Sequence, residues 1–388
     1  MNIKPITQYF VHWINGMKIN RDHFVQSQEA TVDHLRDVQA TGLSAHRYGL
    51  LPYPLNERDS LEYSLFVERP NFVQIEVFQC RAVTPDGQRI EQLDGTERRI
   101  QERFTIDSES VGPHLILLSL GSENEAFGQP DPEETPPRKP SVRPSLALSI
   151  VKERDFETGP PMPHVLPIAR VVNTAGDLVH DEAYIPPSMM VSSHRGLRDF
   201  HRTLVENQRT IERHAFNIRG RLNQHETNTD LANSVGFICD RTLAFLSRDL
   251  DHLVVAMEHG TPVELLLYCK RFARTLLHAY ELQSGTKGKD ALLLYVQEVL
   301  GITHGAYTSE LSAVLDLDYD HRNIQKRLET ATAMLTRQAQ LFEQWSGLEY
   351  IGKKKQTDVF IAEKTIEVEP EPKPEKPEED NNTGWSFS

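Results

Sequence analysis

Asp316-Leu317-Asp318-Tyr319-Asp320 puts three carboxylates at alternate positions, which is how a calcium-binding loop begins. Such a loop also requires a glycine at its sixth position and a bidentate glutamate at its twelfth, and those positions hold His321 and Arg327. The segment is therefore expected to cap a helix, with Asp320 at the start of a last long helix running to about Trp345. Sixteen histidines widen the search for metal ligands, yet the pair His252 and His259 stands two turns apart rather than at i, i+4, and no third ligand accompanies it. Surface or interface histidines are the expectation. The sequence carries no GxSxG elbow, no Walker A loop, no GxGxxG and no HExxH. Cys80, Cys239 and Cys269 are too few and too scattered for a disulfide framework or an all-cysteine zinc site, and read as buried thiols in a reducing compartment. No catalytic residue, metal site or cofactor is expected.

What remains is the chemistry of association. Trp13-Ile14-Asn15-Gly16-Met17-Lys18-Ile19, followed by His23-Phe24, gathers large apolar side chains ahead of any strand, where either their own domain or another protein must bury them. Seven arginines lie between Arg195 and Arg221 against three acids, Asp199, Glu206 and Glu212. That positive stripe suits a partner's acidic surface or the charges of a neighbouring subunit. Leu197, Leu204, Ile211 and Ile218 fall seven apart, with Phe200, Ala215 and Leu222 beside them, a seam of some four heptads. A helix of about 35 residues would carry it over roughly 50 Å. Asn207 and His214 lie on or beside the seam, where polar groups fix register and oligomeric state.

These features need elements to position them. Before Tyr184 the chain reads as strands: 61–67, 72–78, 114–120, 146–151 and 165–172 are short runs of alternating, β-branched or aromatic residues. Val73, Ile75 and Val77 alternate with Gln74 and Glu76, giving one apolar and one wet face. Pro85-Asp86-Gly87 is a turn signature. Strands clustered without interleaved helices predict an antiparallel sandwich. One helix precedes it, capped by Asn20, with Phe24, Thr31, Leu35 and Val38 at helical spacing. Six prolines between Pro130 and Pro144 predict a long exposed loop. After Ile185-Pro186-Pro187 the period switches to about 3.6, which predicts a helical bundle. Within it, Thr261-Pro262-Val263-Glu264 reads as a capping box with proline in the first turn.

The fold class is thus α+β and multidomain. An N-terminal segment and helix (1–40) lead into an antiparallel β-sandwich (41–187), a helical bundle (188–346) and an extension (347–388), largely disordered from 366. Glu369 to Asp380 holds four prolines, six acids and two lysines, a composition that cannot bury enough apolar area to offset its ordering entropy. Trp385 and Phe387 beyond it form a candidate docking motif on an acidic tether, or a free terminus. The formal charge is −14, so nucleic-acid binding and membrane-surface binding are poor fits. The N-terminus lacks a cationic stretch followed by an apolar run, and the longest apolar runs, such as 291–296, fall far short of a bilayer span. A soluble cytoplasmic protein is expected.

Trp13, Gly16, Met17, Ile19, His23 and Phe24 match in type and spacing the opening signature of the TssK family, the baseplate subunit of bacterial type VI secretion systems. There, Trp-x-Glu-Gly-Met-x-Leu leads into Gln-His-Phe-Gln; Asn15, Arg21-Asp22 and Val25 depart from it. Thr84-Pro85-Asp86-Gly87 resembles the family's Phe-Pro-Asp-Gly turn, and Tyr184-Ile185-Pro186-Pro187 its Pro-Pro entry to the helical part. The resemblance spans residues 9 to about 345. It implies a homotrimer with a β-sandwich shoulder bound to the TssF and TssG wedge proteins, a helical neck, and a C-terminal head that contacts TssL and TssM. Only 43 residues follow Trp345 here, below the roughly 50 of a small domain, so the head is expected to be missing. The membrane complex would then be reached through the neck or the tail, or be a different complex.

Under this resemblance Trp13, Gly16, Met17, His23 and Phe24 are candidate wedge-binding residues, with burial of Trp13 against the sandwich as the alternative. Leu197, Phe200, Leu204, Asn207, Ile211, His214 and Ile218 are the candidate trimer interface, with packing inside one subunit's own bundle as the alternative. The expected partners are further copies of the chain, TssF, TssG and a membrane-complex component of unknown identity. The expected place is the cytoplasm, at a baseplate docked on the inner membrane. A phage-tail-like receptor-binding or adaptor protein of another contractile system would share the architecture.

Overall fold

The computed structural model describes residues 4–348, apart from 54–58, 69–70, 94–97, 108, 160–161, 175–176, 225–228 and 284–286. The tail with Trp385 and Phe387 lies outside the described residues. Helix α1 (Arg21–Thr41) starts where the sequence places it. Asn20 Oδ1 accepts the His23 amide and His23 Nδ1 accepts the Asn20 amide, both at 3.2 Å, a reciprocal capping box.

Among the described residues, nine strands follow in two antiparallel sheets. The first is built on β3 (Phe72–Val83), which pairs with β1 (Gly49–Leu50), β2 (Leu61–Glu68), β4 (Arg89–Gln92) and β5 (Ile100–Thr105). The second runs β7 (Ser141–Lys152), β6 (Gly112–Phe127), β8 (Val165–Thr174) and β9 (Asp177–His180). Val73, Ile75 and Val77 of the first sheet share one core with Ile116, Leu118, Leu166 and Ile168 of the second, so the inner faces form a sandwich. All five expected strands are present, and most extend further. The proline-rich stretch is the exposed tip of the β6–β7 hairpin, with Pro144 inside β7. Because β7 is an edge strand, the missing amide of Pro144 need not break a ladder on both sides. A short helix α2 (Glu153–Thr158) links β7 to β8.

Two glycines fix how the pieces meet. Gly87, at φ +90° in the turn between β3 and β4, lies under α1: a Cβ there would stand 3.0 Å from the Arg36 carbonyl oxygen and 3.3 Å from Ala40 Cβ. Gly49, at φ +100°, lies against the Pro186-Pro187 linker, where a Cβ would overlap the Pro187 carbonyl. Leu50 N donates to Pro187 O and Met189 N to Leu50 O, both at 2.8 Å, stitching the linker to the sheet.

The bundle consists of α3 (Arg195–Gln224), α4 (Asp230–Val255), α5 (Pro262–Glu281), α6 (Lys287–Leu300), α7 (His304–Asp316) and α8 (Gln325–Gly347). It corrects three expectations. The seam residues Leu197, Phe200, Leu204, Ile211 and Ile218 are buried within the single chain, in one core with residues of α4, α5 and α8. Those five are already covered inside the chain and present no surface to another copy, so for them the packing is that of the own-bundle alternative. Asn207 and His214 flank this core half-buried. Burial and the neighbouring Arg213 push the His214 pKa down. Second, Thr261 precedes α5 with Pro262 in its first turn, but its hydroxyl bonds the Glu264 side chain at 3.1 Å and the Glu264 amide bonds the Thr261 carbonyl at 3.0 Å, so no reciprocal capping box forms. Third, Asp320 does not cap α8; it caps a turn through the Arg322 amide at 3.0 Å, and the helix begins five residues later.

Sandwich and bundle form one compact body. Arg170 on β8 bonds Asp181 at 2.7 Å and reaches Gln325 in the first turn of α8 at 2.9 Å, with the Tyr184 ring 5.2 Å beneath its guanidinium. Arg198 in the first turn of α3 pairs with Asp59 at 2.7 Å. His321 Nε2 donates to the Tyr48 carbonyl at 2.9 Å, leaving Nδ1 to accept from the Tyr319 hydroxyl at 2.6 Å. That arrangement suits a neutral ring, and burial lowers its pKa to about 4. The three cysteines are free and buried; burial pushes the Cys80 and Cys269 thiols up to about 12.

Candidate interaction surface

Helix α1 is amphipathic with its faces reversed. Its buried positions are Ala30, Asp33, Arg36 and Ala40, while Phe24, Leu35 and Val38 are 62%, 63% and 69% exposed. At 100° per residue Phe24, Thr31, Leu35 and Val38 form one stripe, and Ala30, Asp33, Arg36 and Ala40 lie on the opposite side. The sequence reading found the correct period but not the direction in which the stripe points.

Asp33 and Arg36 account for the reversal. Asp33 Oδ1 accepts from Arg36 Nε at 2.9 Å, and its Oδ2 accepts the backbone amides of Thr7 and Gln8 at 2.7 and 3.0 Å. Arg36 Nη2 donates to the Lys4 and Pro5 carbonyls at 3.0 and 3.4 Å. Residues 4–8 are thereby strapped onto the inner face of α1. The Thr7 amide above all, with the Gln8 amide and Arg36, outweighs burial and holds the Asp33 carboxyl far below the usual carboxylate range.

From this clasp the strap runs back along α1. Gln26 Nε2 bonds the Tyr9 carbonyl at 3.2 Å, and Phe10 lies over His34 with ring centroids 4.7 Å apart. The strap turns at Ile14–Met17, where the Met17 amide donates to Ile14 O at 3.3 Å and Gly16 adopts φ +84°. Trp13, 48% exposed, then stands 5.9 Å from His23 and 6.3 Å from Phe24. Trp13, His23 and Phe24 therefore meet at one end of the strap–helix unit, with Gly16 and Met17 in the turn that follows Trp13. Sequence reasoning missed Tyr9, Phe10 and Val32, which are also exposed, and the Asp33–Arg36 clasp. The i, i+3 spacing of Asp33 and Arg36 between Ala30 and Ala40 was the available signal.

The ridge so formed carries nine large apolar side chains between Tyr9 and Val38 with solvent over about half or more of each. An aromatic side chain has about 150–250 Å² to bury, so the ridge approaches the roughly 800 Å² that one side of a specific interface requires. Elsewhere, a cavity of about 750 Å³ between sandwich and bundle is lined by Tyr48, Phe156, Met162, Tyr319, His321 and Arg322. His321 is committed on both nitrogens, and the Arg322 guanidinium lies 5.6 Å from the Phe156 ring. Among the described residues no group of three or more His, Cys, Asp or Glu side chains could hold a metal ion, and no helix is long and apolar enough to cross a membrane.

A family model described as bacterial type VI secretion, VC_A0110, EvfL, ImpJ, VasE matches residues 142–344, just over half of the chain. No curated protein matches by sequence. In fold the chain is similar to a crystal structure of TssK, with a TM-score of 0.52 and 16% identity over 86% of this chain and 69% of that one. A chain in a solved type VI secretion baseplate complex matches with a TM-score of 0.51 and 14% identity, over 85% of this chain and 69% of that one.

Proposed function

Because the chain belongs to the bacterial type VI secretion family that matches its residues 142–344, we propose that it is a structural subunit of the secretion baseplate. Its N-terminal ridge is the surface that takes wedge proteins. The observation that carries this reading is the reversed α1, whose apolar stripe faces outward while an ion pair and two alanines face in. A helix arranged in that way has its complement in another protein. The similarity in fold to TssK and to a baseplate chain agrees with the placement.

The partners are those of TssK: TssF and TssG at the ridge, further copies of the chain in a homotrimer, and a component of the membrane complex. The site of action is the cytoplasmic face of the inner membrane. With the heptad seam occupied inside each subunit, the homotrimer uses surfaces other than that seam. The test is co-purification of full-length protein with TssF and TssG from the same system. Replacing both Trp13 and Phe24 with Ala should reduce capture at least tenfold while leaving the circular dichroism spectrum and the oligomeric mass unchanged. Unchanged capture by the double variant would exclude the ridge. Failure of the unaltered chain to capture either protein would exclude the baseplate assignment.

A further inference from the structure

The outer face of α3, opposite its buried seam, carries a stripe of exposed arginines. Arg195, Arg202, Arg209 and Arg213 are all exposed and stand seven, seven and four residues apart, a line of about 27 Å at 1.5 Å per residue. Asp199 and Glu206 are the acids in this line. Arg195 and Arg202 share Asp199, at 3.6 and 2.8 Å. Arg209 and Arg213 make no ion pair or side-chain hydrogen bond among the described residues.

Three adjacent features act against the isolated helix. Arg209 and Arg213 are like charges at i, i+4, which weakens a helix. Phe216 follows and is 60% exposed. Gly220 follows that, inside the helix, where glycine is a poor residue, and a Cβ there would meet nothing within 4 Å. Among the described residues no neighbour requires a glycine at this position. Cation pair, aromatic and notch succeed one another at four, three and four residues along one face.

We infer that the outer face of α3 is a docking strip for an acidic helix of another protein. Arg209 and Arg213 meet its carboxylates, Phe216 covers its apolar flank, and Gly220 is the point where the two backbones come nearest. Charge argues for a partner of this kind. A second copy laid face to face would set arginine against arginine, whereas an acidic helix relieves the repulsion already present. This strip is separate from the N-terminal ridge and does not depend on wedge binding there.

The probe is a fluorescein-labelled helical peptide of about 20 residues, rich in alanine, with glutamates at i, i+4, i+7 and i+11 and one leucine beside them. Its twin carries lysine for each glutamate. Full-length protein should bind the acidic peptide in an anisotropy titration and not the twin, with affinity falling about tenfold or more between 50 and 200 mM salt. Arg209→Glu with Arg213→Glu should abolish binding while leaving the circular dichroism spectrum unchanged. Gly220→Ala should raise Tm through helix propensity and yet weaken the peptide at least threefold, a pair of opposite changes that a purely structural glycine would not give. Unchanged affinity in the double reversal overturns the proposal, as does duplex DNA binding as tightly as the peptide. So does a fall in the chain's own oligomeric mass in the double reversal without loss of peptide binding, since a second copy would then own the face.

Discussion

Asp33 and Arg36 form an ion pair of 2.9 Å on the inner face of α1, and between them in sequence Leu35 points into solvent. Charge inside and leucine outside is the reverse of the usual helix, and it is stable because the pair binds backbone as well as itself. Asp33 Oδ2 and Arg36 Nη2 reach the strap at residues 4–8, while Arg36 Nε and Asp33 Oδ1 hold each other.

Replacing Asp33 with Ala should therefore free the strap before it harms anything else. The variant loses two amide hydrogen bonds and leaves the Arg36 guanidinium buried without its carboxylate, a cost of about 2–3 kcal/mol. Hydrogen exchange should accelerate over residues 4–20 and stay unchanged in the bundle. Protection that persists at Thr7 and Gln8 would mean that the strap is held by its aromatics instead.

Leu204 lies fully buried in its own subunit's core, so Leu204→Glu should unfold the bundle and not merely separate copies. An unpaired carboxylate in that position should cost about 4 kcal/mol or more. Thermal melts followed at 222 nm should show a loss of at least 15 °C. A folded, dissociated chain of unchanged Tm would return the seam to an intersubunit role.

Gly49→Ala combines a positive φ with a clash against the Pro187 carbonyl, so it should destabilise by about 2–4 kcal/mol. Gly16→Ala, where φ is also positive but a Cβ would meet nothing, should cost only about 1 kcal/mol. The denaturant midpoints of the two variants check the order.

His194 and His321 are both held near a pKa of about 4, chiefly by burial. Their unfolded-state pKa is about 6.5, so between pH 6.5 and 4 the unfolded chain binds more protons than the folded one. The stability they confer is complete above pH 6.5 and lost as pH falls towards 4, on the order of 1–3 kcal/mol for each. Chemical denaturation at pH 7 and pH 4.5 should show this loss, and His321→Gln should flatten part of it. Asp33, with its pKa depressed, keeps the clasp charged throughout this range.

Local signals were legible in the sequence where their cause is local. Alternation in Val73, Ile75 and Val77 marked a strand with one buried face, Asn20 marked a helix start, and Pro85-Asp86-Gly87 marked the turn on which α1 rests. The heptads of Leu197 to Ile218 were also legible, but a period names only the face that is buried. It does not say whether the covering helices come from the same chain. The reversal of α1 was legible only as the i, i+3 pairing of Asp33 with Arg36, for a related reason. Asp33 can face inward only because the Thr7 and Gln8 amides arrive from another part of the chain, and no spacing within the helix records that. Asp320 looked like a helix cap because a carboxylate serves a turn as well as a helix.

The first turns of α3 and α8 are both fastened to the sandwich, through Arg198 on Asp59 and Gln325 on Arg170, and their last turns are joined where Arg221 donates to the Leu348 carbonyl at 2.6 Å. The two helices are therefore parallel rods fixed at both ends. Tension applied at the sandwich runs down them in the direction of their axes. The two rods share that load, so the buried contacts between them are not forced to slide past one another.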